Sequence, residues 1–175
     1  MIYDDLKKFP TPRMSENSPA DYSLVWKRLH NNLFPSTDLE CLFLLINNKL
    51  PVQERLNRIG VVDSLHCLYC PGSVINDVTH YFTSCLRTER VWSWIRTLIA
   101  KMIFIGNTSD WELLNLLFPR DAKDGTVTWI IGTYIGYVWQ RRNDGKDFNF
   151  DNFFGFLTFK YKESKNILGQ IQGLD

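Results

Sequence analysis

Net charge is nearly absent from this sequence. Its 20 Lys+Arg stand against 19 Asp+Glu, a formal charge of +1. No whole-molecule attraction therefore draws it to nucleic acid or to an acidic membrane, and a polyanion site has to come from local charge placement. Cysteine is scarce, with four among 175 residues, too few for a disulfide scaffold. Three histidines leave little material for a catalytic triad. Long hydrophobic runs are missing too. The most apolar window, Trp129 to Trp139 (WIIGTYIGYVW), is far short of the ~20 residues that cross a bilayer. Met1 to Lys8 carries acids where a signal peptide would be basic, and no apolar stretch follows, so the expected location is intracellular, nuclear or cytoplasmic, and not secreted. There is no Gly-rich phosphate loop and no nucleophile elbow.

What is present is apolar material for one core. Hydrophobic residues are 45% and aromatics 14%, with six Trp, and the length suits one compact domain. Residues 1–20, with three prolines between Phe9 and Ala20, read as an extended lead-in. Residues 21–175 read as a single helical domain with an irregular insert at 60–85. Asp21 is expected to cap a helix with Leu24, Val25 and Leu29 on its apolar side and Lys27, Arg28 and Asn31 on the other. A second helix restarts at Ser36 or Thr37, and a third runs from Val52 to Arg58, closed by Gly60. Leu86 to Ile103 is the clearest amphipathic helix, through Val91, Trp92, Ile95, Leu98, Ile99, Met102 and Ile103. Asp110 is expected to cap a short helix ending near Phe118. Thr126 to Arg142 forms a buried helix whose Gly132 and Gly136 admit a close neighbour, and Asp151 is expected to cap the last one. Period-2 strands and internal repeats are not apparent. The fold class is all-α, a helical bundle with one irregular knuckle.

The knuckle rests on spacing: Cys67-x2-Cys70-x9-His80-x4-Cys85. Two thiolates from a C-x-x-C turn and a His/Cys pair about one helical turn apart supply four donors for a tetrahedral zinc ion. Pro71 and Gly72 suit the tight turn. Four protein ligands leave no open coordination position, so one structural Zn2+ is expected, not a catalytic one. His66 is the rival imidazole, ranked below His80 because its neighbour Cys67 already points at the ion. Cys41 reads as a buried thiol on a helix.

Charge is unevenly spread. Residues 49–101 carry seven basic side chains against four acidic, so the excess coincides with the knuckle and the helix after it. There Arg87, Arg90, Trp94, Thr97 and Lys101 recur at helical spacing opposite the core stripe. Arginines around an aromatic ring pair phosphates and stack a base. Arg141, Arg142 and Lys146, and Lys160, Lys162 and Lys165, form secondary patches.

The run Leu50-Pro51-Val52-x2-Arg55-Leu56-x-Arg58-x-Gly60, then Cys67-x2-Cys70, His80-Tyr81-Phe82-x2-Cys85 and Val91-Trp92, resembles the zinc-binding region that follows the reverse transcriptase of LINE-type (non-LTR) retrotransposons. Ile2-Tyr3-x2-Leu6, Asp21-Tyr22-x2-Val25-Trp26, Ile131-Gly132-x-Tyr134 to Trp139 and Phe156-Leu157-x2-Lys160-Tyr161-Lys162 extend the similarity at the level of composition. The resemblance implies an isolated or host-captured module without its polymerase, one that binds RNA or single-stranded DNA. Tyr3-Asp4-Asp5 lacks the residue that separates Tyr from the Asp pair in a polymerase turn. Asp121-Ala122-Lys123, with Asp110 upstream, spells a nuclease-like D-x-K, but no strand is expected there to present it. The expectation is a non-enzymatic nucleic-acid-binding module without membrane or small-molecule substrate. A protein-interaction adaptor, with a host protein docking on the aromatic end Phe148, Phe150, Phe153, Phe154 and Phe156, is the alternative.

Overall fold

The computed structural model describes residues 22–30, 34–120, 123–146 and 148–172, with side chains described as far as residue 163. The extended lead-in, Tyr3-Asp4-Asp5, the Asp21 cap and Asp121 lie outside the described residues. Seven α-helices appear among those described: α1 (Tyr22–His30), α2 (Ser36–Ile46), α3 (Gln53–Arg58), α4 (Glu89–Met102), α5 (Asp110–Leu114), α6 (Asp124–Asn143) and α7 (Phe150–Gln172). No strand is present among the described residues, only an isolated antiparallel bridge between His66 and Ile75. The class is all-α, as expected.

Helix α6 is the axis of the molecule. It packs against α1, α2, α4, α5 and α7, and every residue from Ile130 to Val138 is buried. A helix apolar all round has to be surrounded in this way. Its two glycines admit α2 and the loop before it. A Cβ at Gly132 would stand 2.5 Å from the Phe34 ring and 3.2 Å from Leu42, and one at Gly136 would meet the Asp38 carboxylate. At the centre Tyr134 is fully enclosed by Phe82, Trp92, Phe148 and Phe153.

Three local expectations are corrected. The short helix α5 is capped by Ser109, whose hydroxyl accepts from the Glu112 amide at 3.2 Å while Glu112 accepts from the Ser109 amide at 2.7 Å. This reciprocal box satisfies two otherwise orphan donors and outcompetes Asp110, which pairs with Arg96 at 2.6 Å instead. Helix α7 is capped by Asn149, whose side-chain oxygen accepts from the Asn152 amide at 2.8 Å, so Asp151 falls inside the first turn. Arg28 is not on a solvated face. It is buried, and donates to the carbonyls of Leu116 (2.5 Å) and Phe118 (2.9 Å) and to Asp124 (2.9 Å).

Candidate metal centre

The insert between α3 and α4 folds as a knuckle followed by a wide turn. Residues around Cys67 form a narrow loop, closed by the Cys67 amide on the Val74 carbonyl (2.8 Å) and the Asn76 amide on the Leu65 carbonyl (3.0 Å). Gly72 reverses the chain with φ 81°, a conformation that costs glycine little. The loop docks on the start of α3, where the Glu54 amide donates to the Asn76 carbonyl at 3.1 Å. Asp77 then starts the next turn by accepting from the His80 amide at 2.7 Å.

The turn from His80 to Ser84 is a π-helix. The Cys85 amide donates to the His80 carbonyl at 2.9 Å, a five-residue step in place of the α-helical four. That step accommodates the four-residue gap between His80 and Cys85, which a regular α turn would carry to a different face. The disturbed backbone finds side-chain partners, as buried carbonyls require. The Phe82 carbonyl accepts from the Tyr134 hydroxyl. The Tyr81 carbonyl accepts from Arg142 at 3.1 Å and from the Thr88 hydroxyl at 3.3 Å.

These two pieces bring Cys67, Cys70, His80 and Cys85 together, with their donor atoms all within 4.8 Å of one another. The Cys67 and Cys85 sulfurs are 3.8 Å apart, those of Cys70 and Cys85 3.9 Å, and Cys70 lies 3.5 Å from His80 Nε2. A tetrahedral zinc with ligands at ~2.0–2.3 Å sets edges of roughly 3.8 Å between sulfurs and 3.6 Å between sulfur and nitrogen. A disulfide would need its sulfurs at ~2.0 Å. The donor set thus has the size of a zinc shell and not of a bridge. It would hold one ion with Nε2 of His80 as the fourth donor, and His80 Nδ1 is 3.1 Å from the Ser84 hydroxyl, the outer-sphere partner that fixes a metal-binding imidazole.

Electrostatics agree with a cation at the centre. Burial pushes the Cys67 thiol up, but hydrogen bonds from the Tyr69 and Cys70 backbone and from His80 and Cys85 outweigh it, leaving the thiol at about 7. Cys85 is pushed up to about 11, chiefly by burial. Three adjacent sulfurs cannot all ionise unaided, and a divalent ion removes that penalty. Thiolates also receive backbone support, the Leu86 amide standing 3.4 Å from Cys70.

The other residues singled out in the sequence fall as follows. His66 stands apart from the quartet, 3.3 Å from the Ser64 hydroxyl. Cys41 is buried in α2, its thiol pushed well above the ordinary range by burial. Arg87 lies in the turn before α4, not on the helix, because Thr88 is drawn inward to the Tyr81 and Cys85 carbonyls. Arg90 and Lys101 are exposed. Trp94 does not face water opposite the core. Helix α7 covers that side, and the indole meets Phe150 and Phe154 edge-on at 5.4 and 6.0 Å. Of the aromatic end, Phe148 and Phe153 are buried, Phe150 and Phe156 half-buried, and Phe154 exposed. The D-x-K segment lies between α5 and α6, where its Lys123 immediately precedes α6.

Sequence reasoning missed Tyr69 and underrated Arg142. Tyr69 sits between the first two cysteines with Arg87 over its ring at 4.5 Å and Arg142 at 5.2 Å. Arg142 is also 3.7 Å over the Tyr81 ring. An aromatic inside a C-x-x-C pair was the available signal, since both thiolates point inward and push the residues between them out.

Fold and site together define a helical domain stapled by one structural zinc. Residues 10–92 match the family described as zinc-binding in reverse transcriptase, and all four candidate ligands lie within that stretch. No curated protein and no solved structure matches the chain. No helix among the described residues is long and apolar enough to cross a membrane.

Proposed function

We propose that the chain is a non-enzymatic module, derived from the reverse transcriptase of a LINE-type retrotransposon and acting in the nucleus or cytoplasm, that binds RNA or single-stranded DNA. The observation that carries this is the pairing of arginines with exposed or half-buried rings along one edge of the zinc knuckle. Arg87 lies over Tyr69, and Arg90 lies 5.8 Å over Phe150. Arg87 also donates to the Lys146 carbonyl at 3.1 Å, so both arginines border the connection between α6 and α7. Lys101 extends the basic edge along α4, and Trp94 supports the Phe150 and Phe154 rings from behind. Guanidiniums answer phosphates and ring faces answer bases, the combination used on unpaired strands. A zinc with four protein ligands holds this edge in shape and takes no part in chemistry.

The test is binding of the zinc-loaded chain to single-stranded RNA and DNA across a salt series. Affinity should fall steeply with salt. Replacing Arg87 and Arg90 together should flatten the slope of log K against log salt by roughly 1.4, the ~0.7 per phosphate contact of single strands. An absence of binding at low salt would overturn the proposal.

A second reading, a protein-interaction adaptor, is favoured by the apolar side chains that the insert and α7 leave in water: Ile59, Val61, Ile75 and Leu86 on the first, Phe154 and Phe159 on the second. Such a surface suits a protein partner. The same salt series separates the two, because an adaptor without a nucleic-acid role binds neither strand at low salt.

A further inference from the structure

Charge pattern alone groups Arg142 with a basic surface patch, yet the fold sets it against the metal centre. We propose that Arg142 is the counter-charge of the zinc shell, a positioning residue that steadies the three thiolates, and not a phosphate-binding side chain. This goes beyond the nucleic-acid reading above and does not depend on it.

A divalent ion held by three thiolates and one neutral imidazole leaves a net negative charge on the centre. Cys67, His80 and Cys85 are buried and Cys70 is half-buried, so water screens that charge poorly and a nearby cation counts for more than it would at the surface. Arg142 stands in the last turn of α6, and its guanidinium touches both pieces that build the centre. It donates to the Tyr81 carbonyl at 3.1 Å and lies 3.7 Å over the Tyr81 ring, next to His80 in the π turn. It also lies 5.2 Å from the centre of the Tyr69 ring, which the knuckle carries between Cys67 and Cys70.

A cation taken out of water needs an anion. Arg142 is half-buried, and among the described residues no carboxylate pairs with it. Two ring faces and a carbonyl are its contacts, and none of them carries a full negative charge. The thiolate shell does. The charge of Arg142 acts on Cys85, opposing the rise that burial imposes on that thiol. Its position is set before any metal arrives at the shell, because Tyr134, two turns earlier on the same helix, ties α6 to the Phe82 carbonyl of the π turn. Arg141, the next residue along, turns the other way and lies 5.2 Å over Tyr137. The two neighbouring arginines therefore separate the effect of this one position from that of basic charge in general.

The experiment compares the full chain with Arg142→Gln, Arg142→Lys and Arg141→Gln. Zinc affinity is read by competition with a chromophoric chelator, and cobalt(II) loaded in place of zinc gives visible bands that report the donor set and its geometry. Arg142→Gln keeps an N–H donor for the Tyr81 carbonyl but loses the charge. Its zinc affinity should fall about tenfold or more, while the cobalt bands keep their natural positions because the same four donors are bound. Arg142→Lys keeps the charge without the planar fork, and should stay within about threefold of the natural chain. Arg141→Gln should bind zinc like the natural chain. Natural affinity in Arg142→Gln overturns the proposal, and so does an equal loss in Arg141→Gln. If Arg142→Gln loses its cobalt bands or its helical signal, the lysine variant decides. Near-natural affinity there supports a role for the charge, and a tenfold loss shows that the shape of the guanidinium matters instead and overturns it. Weaker binding of Arg142→Gln to single-stranded RNA at unchanged zinc affinity would return Arg142 to the basic patch, and would equally overturn the proposal.

Discussion

His80 and Cys85 are joined across a π turn, the Cys85 amide donating to the His80 carbonyl at 2.9 Å. Their five-residue separation is wrong for one α-helical step and right for this wider one. It places the imidazole and the thiol on one ion together with Cys67 and Cys70. The irregularity is held from outside by Tyr134, Thr88 and Arg142, which take up the carbonyls of Phe82 and Tyr81. The centre is thus tied to the axis of the fold through α6.

Orientation of His80 depends on Ser84, 3.1 Å from Nδ1. Replacing Ser84 with Ala removes the group that sets which ring nitrogen carries the proton. Zinc affinity, read by competition with a chromophoric chelator, should fall about tenfold while the helical signal of the zinc-loaded chain is unchanged. Equal affinity would mean that the imidazole is held by the π turn alone.

Glycine to alanine in a helix should change sign with position. At Gly132 the new methyl would lie 2.5 Å from the Phe34 ring and 3.2 Å from Leu42, and the strain should cost about 1–3 kcal/mol. At Gly155, in α7, no atom lies within 4 Å, and the gain in helix propensity should stabilise by about 0.5–1 kcal/mol. Thermal unfolding of the two variants should move in opposite directions. A higher melting temperature for Gly132→Ala would contradict the close approach of the α2 segment.

Arg28 closes the other end of the bundle. Leu116, buried with φ 59°, is held in a left-handed conformation unfavourable for a branched residue, and Arg28 donates to its carbonyl. Arg28→Met keeps the apolar stem but strands the Leu116 and Phe118 carbonyls and removes the ion pair to Asp124. The expected loss is about 3–5 kcal/mol, measured by denaturant unfolding. Arg28→Lys should recover little, because an ammonium cannot span the fork of acceptors. A loss under 1 kcal/mol would show that water replaces these bonds.

Much of this was legible in the sequence where a physical rule acts locally. The metal quartet followed from donor types and spacing, and the α4 stripe from Val91 to Met102 followed from helical period. The G-x-x-x-G of α6 foretold the close approach of a neighbour, though not that it is the α2 segment, because only a missing side chain leaves that room. Rules of one element failed where a distant partner decided. Arg28 read as a polar-face residue within its helix, yet its acceptors lie some ninety residues on, at Leu116 and Phe118. Trp94 read as solvent-facing because the stripe of α4 does not reveal that α7 covers its other side. The π turn was hidden because the pattern fixes the number of residues between His80 and Cys85 but not the hydrogen bonds that span them.

The zinc staple is tested most directly by melting the zinc-loaded chain before and after treatment with a strong chelator, with metal content read on the same samples. Metal binding in such a site is folding free energy. The expected result is one zinc per chain at the start, its removal by the chelator, and loss or a large downward shift of the cooperative transition. A chain that gives up its metal, or never held any, and melts at the same temperature would contradict the account.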